Sequence, residues 1–394
     1  VGERVIGSIV LGITAAASVL AMGALGLELQ YRGRAGNKLE LTTGDWKLSL
    51  SDPTHYQLVG EMEFRNLTEN LEIMLPEITA RVKLLSEGSL DDISYQVKVI
   101  PCHQDAMPRA DDYWFAYIVK LRGTTKIRVC VDITGPNLQE LQAAWVKIRY
   151  VTYGPGGRIP KKSHLVLPLQ SPDTSIAPKA RSVSVGEVFP IKTHLLSVID
   201  DPVEVVKKYV SPHAQEGDVI TIGETPVAIM QGRFRHPTEI KPGWVARRIC
   251  YFFLPTSSLA TACGLQALVD IVGPTRVLFA FVGGAIARVL GKRGAFYQLA
   301  GEQARLIDDV TGTLPPYDQF IVLGPENPQE VVDRIKRETG LQAAIVDVND
   351  LKAVKVLAAT SGVSMELLEE GLRSNPAGNA DERTPVVLIR PAGK

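Results

Sequence analysis

Gly217-Asp-Val-Ile-Thr-Ile-Gly-Glu-Thr-Pro-Val-Ala-Ile-Met-Gln-Gly-Arg233 contains a β-branched run, Val219–Ile222, closed on both sides by glycine. A short apolar run bounded by turn residues reads as a buried strand. Ala228–Met230 gives a second strand-like run, ending at the flexible Gly232. Outward from this stretch, strand-like segments (Val183–Val188, Gln319–Val322, Ala343–Val346, Val386–Ile389) alternate with helical ones. Pro202–Val210 has an apolar face, and Pro328–Thr339 starts on proline and stops before Gly340. Leu351–Thr360 and Ser364–Arg373 continue the helical series. Such alternation predicts a mixed α/β (or α+β) domain over residues 182–394. Within it, the apolar run Val277–Ala287 is 11 residues long and bracketed by Arg276 and Arg288. A membrane span needs about 20 residues, so this run reads as a buried helix or a Gly-kinked core segment.

Upstream the period changes from mixed to two. Trp46–Leu50, Tyr56–Phe64, Glu77–Leu84, Ser94–Ile100, Trp114–Leu121, Thr125–Val131 and Ala144–Thr152 alternate apolar and polar residues, separated by Gly, Pro, Asn and Asp. That pattern predicts an antiparallel β-sandwich over residues 45–169, with Asn137–Gln142 as its one helical turn. Cys102-His103 beside Asp105 lacks partners at metal-ligand spacing and reads as a surface loop. The Pro/Ser-rich stretch Gln170–Pro178 marks residues 170–181 as a linker between two self-contained cores.

The amino-terminal end is apolar. Val5–Leu27 holds no charged residue over 23 positions, and about 20 suffice to cross the hydrocarbon. Residues 1–30 are therefore expected to be a single-pass anchor, with a cleaved signal peptide as the alternative because small residues such as Ala15–Ser18 could form a peptidase site. Arg4 precedes the span and Arg32, Arg34 and Lys38 follow it, which places the soluble domains in the cytoplasm.

With 43 basic and 43 acidic residues the net charge is zero. Nothing in that total suits nucleic acid bound by phosphate neutralisation, so no nucleic-acid partner is expected. Cys102, Cys130, Cys250 and Cys263 form no CxxC pair and read as reduced thiols.

Several stretches of the second half resemble the coenzyme F-420 gamma-glutamyl ligase family. Gly217–Arg233, preceded by Pro190-Ile-Lys-Thr-His194, resembles its GDV strand and the turn ending in EGR. Ile307-Asp308 is similar to its AGID segment, Leu323–Pro328 to its LPPxDPD stretch, and Ala344-Ile-Val-Asp-Val-Asn349 to its strand ending in TDTNGR. The blocks lie in the family's order. Three departures stand out: Ala228-Ile229 replaces a Ser-Lys pair, Gln231 replaces the Glu of EGR, and Leu351-Lys352 stands where a basic segment follows TDTNGR. The resemblance implies a ligase that joins the amino group of glutamate to a carboxylate, using GTP or ATP and a divalent metal, through an acyl phosphate. The layout of the first half loosely resembles the immunoglobulin-like sandwiches of the late-embryogenesis-abundant family, from which no function is carried.

Carboxylate activation by a nucleoside triphosphate needs cations against phosphate and hard-oxygen ligands for Mg²⁺ or Mn²⁺. Asp308, Asp309, Asp347, Asn349 and Asp350 supply such oxygens at the ends of expected strands, where α/β sheets place ligands. Helix caps are the competing reading for both groups. Gln231, Gly232 and Arg233 are candidates for nucleotide or substrate binding, as are Lys292 and Arg293 in Gly291–Tyr297, for which a plain basic loop is the alternative. No Walker A loop is present, since Ile286 stands where its first glycine belongs. Two functions follow: a metal- and nucleotide-dependent amide-forming ligase for a small carboxylate substrate, or a non-catalytic membrane-associated scaffold that keeps the fold and binds a nucleotide or a protein partner, the latter through the sandwich for example.

Overall fold

The computed structural model describes residues 2–32, 37–111, 113–292, 294–309, 314–348, 353–378 and 382–392, with side chains of 2–13, 31, 32 and 309 outside the description. The chain is mixed α/β, with a β-sandwich at its amino-terminal end. One sheet orders Leu39–Leu41, His55–Asn66, Thr124–Thr134 and Ser94–Cys102, and Asp45–Asp52 also pairs with His55–Asn66. The other orders Tyr117–Val119, Ile73–Ser86, Leu141–Gly154 and Gly157–Pro168. All pairs are antiparallel, and the inward set includes Phe64, Val129, Val131, Ile133, Val146 and Ile148. This is the two-residue alternation of one dry and one wet face.

The strand Gly157–Pro168 was not foreseen. Pro160 and the Lys161-Lys162 pair hide its alternation, and it lies at the end of its sheet, where proline removes no needed ladder donor. Asn137–Gln142 reduces to one 3-10 turn, Leu138–Glu140. His103 is buried rather than on a surface loop: its ring stacks on Tyr117 at 3.8 Å and its Nδ1 lies 2.7 Å from the Thr125 hydroxyl.

The second half is built on a six-stranded sheet ordered Arg181–Val183, Gly186–Ile191, Val386–Pro391, Val219–Gly223, Gln342–Val348 and Val354–Ala359. Only Val219–Gly223 and Gln342–Val348 run parallel. Side chains alternate between two helical layers. Ile220, Ile222 and Ile345 meet Val206 and Ile335 of the helices Pro202–Tyr209 and Pro328–Thr339. Val219, Ala344 and Val346 meet Leu368 and Leu372 of the helix Met365–Leu372, capped by Ser364.

Ala228–Met230 is not a strand but the end of a helix, Glu224–Met230, because Pro226 in a first turn needs no intrahelical donor and fixes a helical φ. Of Leu351–Thr360, whose first two residues lie outside the described ones, Val354–Ala359 is not helical but a strand paired with Gln342–Val348, as its β-branched residues favour. Val183–Val188 breaks into a hairpin at Ser184-Val185.

A third packing unit, the helices Trp244–Ile249, Ala262–Val272, Pro274–Val289 and Ala295–Ala300, shares a core around Leu265, Leu268, Val277 and Ala300. Within Pro274–Val289 only Val277 and Ala280 are buried, which overturns the reading of that segment as core. The sandwich and the second half also share a core, in which Trp145 and Val166 pack with Ala228, Ile229, Tyr317 and Phe320. The two cores are thus not self-contained.

Gly2–Arg32 is helical and includes the apolar stretch Thr14–Gln30. Among the described residues no single helix is long and apolar enough to cross a membrane, so the single-pass anchor stays an expectation of the sequence.

Candidate functional site

The parallel register pairs Gly223 with Val346. Each strand continues by one residue into an acid: Glu224, the first residue of the helix Glu224–Met230, and Asp347. Adjacent parallel strands thus bring two carboxyl groups to their carboxyl ends, where open α/β sheets bind ligands. A third acid comes from the small sheet Phe234–Arg235, Ile321–Val322 and Asp308–Asp309, which is antiparallel throughout. The Thr225 hydroxyl donates to Asp308 Oδ2 at 3.3 Å, tying this sheet to the strand-to-helix turn.

The three acids share one electrostatic environment. Glu224 is 9% exposed and its Oε2 has no hydrogen-bond partner. Burial, then Asp347 and Asp308, raise its pKa to about 9. Burial likewise raises Asp308 to about 6, against the Thr225 hydrogen bond. Asp347 is also raised by burial, with Lys355 pulling the other way. Lys355 faces Asp347 across the strand pair and reaches Glu302 at 3.2 Å. A neutral buried acid surrounded by other acids holds a proton that a cation would displace.

These groups line a cavity of about 520 Å³, within the ordinary range for small-molecule sites. Arg305 and Arg383 add positive charge to its wall. Arg383 pairs with Glu87 of the sandwich at 3.0 Å. His194 is fixed by Asp200 at 2.9 Å and by the Tyr209 hydroxyl, and Tyr317 Oη donates to the Leu196 carbonyl at 3.0 Å.

Of the residues singled out from sequence, Asp308 and Asp347 line this cavity, and both sit in strands rather than at helix caps. Asp309 is in the same strand as Asp308, with its side chain outside the described residues. Asn349, Asp350 and Arg293 lie outside the described residues altogether. Gln231, Gly232 and Arg233 are engaged elsewhere: Gln231 exchanges hydrogen bonds with the Glu326 backbone at 2.7 and 2.8 Å, and Gly232 takes a φ of +69°. Arg233 donates to the Gly324 carbonyl at 2.6 Å and pairs with Glu326 at 3.1 Å. Lys292 is exposed and does not line the cavity. Among the described residues no group of three His, Cys, Asp or Glu side chains is gathered closely enough to hold a metal ion.

Glu224, Thr225, Arg305 and Lys355 were missed. For the first two a signal existed: a β-branched run followed by Gly-Glu-Thr-Pro is a strand-to-helix turn and puts the acid at the strand's end. Arg305 and Lys355 reach the site only through packing.

No curated protein matches the chain. Among solved structures, the yeast GGA1 GAE domain is 13% identical, covers 34% of this chain and 96% of its own, and superposes with a TM-score of 0.19. The CupB6 tip adhesin from Pseudomonas aeruginosa is 12% identical over 39% and 58%, with a TM-score of 0.22. A FixG-related protein from Vibrio parahaemolyticus is 10% identical over 34% and 94%, with a TM-score of 0.17. Likenesses this slight carry no argument. The family model for the N-terminal Ig-like domain of F420-0:gamma-glutamyl ligase matches residues 40–171, on the sandwich and not on the half whose motifs resemble that ligase. Residues 40–171 are therefore similar to the Ig-like domain of F420-0:gamma-glutamyl ligase, which supports a relation of this chain to that ligase family.

Proposed function

We propose that this chain is an amide-forming ligase of the F420-0:gamma-glutamyl ligase kind, joining glutamate or another amino acid to a small carboxylate with GTP or ATP. The observation that carries this reading is the orphaned Oε2 of Glu224, buried between Asp308 and Asp347 at the ends of two parallel strands. Glu224, Asp308 and Asp347 offer hard oxygens of the kind Mg²⁺ or Mn²⁺ takes, with Lys355 as a cation beside them, although as placed the three are not close enough together to hold an ion. Asp308, Asp347 and Glu224 would have to draw together to hold the ion, and when bound it would offset negative charge on the transferring phosphoryl group.

The rest of the work falls to the chain's own groups. Arg305 and Arg383 would orient phosphate or substrate carboxylate across the cavity, and Lys355 would keep Asp347 ionised. The substrate carboxylate takes the terminal phosphoryl group as the nucleoside diphosphate leaves, the amine then attacks the acyl carbon, and phosphate leaves as the amide forms. The amine must lose a proton in that step, and the departing phosphate can accept it. The apolar stretch Val5–Leu27 would hold the enzyme at a membrane with its domains on the cytoplasmic side.

One observation favours the second reading, a non-catalytic binding or scaffold protein. At the positions of the family's Ser-Lys pair, Ala228 and Ile229 are buried against the sandwich, which leaves no cation there. The two readings part in one experiment: thermal unfolding with Mn²⁺ or Mg²⁺, with and without GTP or ATP, alongside an assay for phosphate release with glutamate and the coenzyme precursor. The ligase reading expects a metal-dependent rise in midpoint, a further rise with nucleotide, and turnover. A midpoint unmoved by any combination would sink it.

A further inference from the structure

We infer that the helical unit between Trp244 and Leu290 seats on the surface of an anionic lipid bilayer, in addition to any contact made by the amino-terminal apolar stretch. The helix Pro274–Val289 packs one side inward: Val277 and Ala280 are buried, and a Cβ on Gly284 would meet Phe296 at 3.0–3.1 Å. Its opposite side is equally apolar and open. Phe279, Val282, Ile286 and Val289, spaced three, four and three apart, form one stripe, with Phe279 73% and Val289 88% exposed. Beside this helix Trp244 and Tyr251, in the helix Trp244–Ile249 and the turn after it, are 67% and 84% exposed, and Phe252, 68% exposed, packs its ring on Phe281 at 5.1 Å on the inward side of Pro274–Val289. Exposed large apolar side chains in such number on one helical unit mark an interaction site.

Charge selects the occupant. From Lys241 to Gly301 the chain has seven Lys and Arg and one acid, Asp270, within a chain of zero net charge. Asp270 is already held by Arg235 and Gln266, both at 2.7 Å. Among the described residues Arg247, Arg248, Arg288 and Lys292 form no ion pair. Trp244, Arg247, Arg248 and Tyr251 line one cleft, placing guanidinium groups beside aromatic rings. Guanidinium suits lipid phosphate, and Trp and Tyr favour the level of the headgroups.

Geometry argues for lying in the surface rather than spanning it. Ala262–Val272 and Pro274–Val289 are bent by 112° at Gly273, and the first is mostly buried in the protein. Sixteen helical residues reach about 24 Å, less than the roughly 30 Å of hydrocarbon. An amphipathic surface helix with basic flanks is the arrangement that remains.

The test uses the full chain, with its amino-terminal stretch retained in every variant, and reads tryptophan quenching by vesicles of brominated phosphatidylcholine with or without phosphatidylglycerol. Trp244 is one of four tryptophans. The expected result is quenching on the anionic vesicles, with the Trp244 share absent in Trp244→Phe. The charge-reversed pair Arg247→Glu and Arg248→Glu should lose about half of that share or more, as should wild type in high salt. Identical quenching of wild type and Trp244→Phe would overturn the inference. So would quenching equal on neutral and anionic vesicles, or a concentration-dependent dimer that buries Trp244 without quenching, which would assign the face to a second copy.

Discussion

Glu224 and Asp347 are neighbours because their predecessors, Gly223 and Val346, are register partners in the one parallel pair of the central sheet. Any shift of that register by one residue would turn Asp347 to the other face and separate the two acids. The electrostatic character of the cavity therefore rests on strand pairing.

Glu224→Gln should change how stability depends on pH. The folded-state pKa of Glu224 is raised from 4.5 to about 9, so the folded state holds a proton that the unfolded chain releases. Stability from this group is full below about pH 4.5 and is lost as pH rises toward 9, at most about 1.4 kcal/mol per pH unit. Metal-free wild type should lose midpoint across that window more steeply than Glu224→Gln, in melts recorded from pH 5 to 9. Parallel curves would mean that the acid is solvated.

Cation binding should release protons and be tighter at higher pH, because the acids must ionise to ligate. At a hundredfold excess over Kd the gain would be about 2.7 kcal/mol. Asp308→Asn and Asp347→Asn should each remove most of it, as read by thermal shift with Mn²⁺ at pH 6 and 8. Equal shifts in wild type and both variants would place the cation elsewhere.

Arg233→Ala should destabilise without altering the cation response. The side chain ties the end of the helix Glu224–Met230 to Gly324 and Glu326, and losing a charged hydrogen bond costs about 1.5–3 kcal/mol. Urea unfolding would show the loss. A variant of wild-type stability that no longer responds to nucleotide would instead return Arg233 to the binding machinery.

Trp145→Ala should weaken both halves together. Trp145 is 2% exposed and packs with Ile229 and Phe320 across the shared core, where truncation of a large aromatic costs about 3–5 kcal/mol. Limited proteolysis should then cut residues 170–181 faster and shorten the lifetime of the Ser182–Lys394 portion. If only the sandwich were affected, the halves would be energetically independent.

The sequence by itself determined the elements whose signals are local. Period-two alternation sufficed for most sandwich strands, since each side chain faces core or water in turn. Pro328 and Gly340 bound a helix because proline suits a first turn and glycine accepts the left-handed φ of +78° found there. Asp308 and Asp347 could be singled out as acids at strand ends. Tertiary structure decided the rest. Val354–Ala359 is a strand only because Gln342–Val348 offers it a ladder, and Val386–Pro391 lies mid-sheet although it comes last in the chain. Glu224 looks like an ordinary helix-starting acid until Asp308, more than eighty residues away, and Asp347 close over it. Burial and mutual repulsion are properties of that convergence, which no local pattern records.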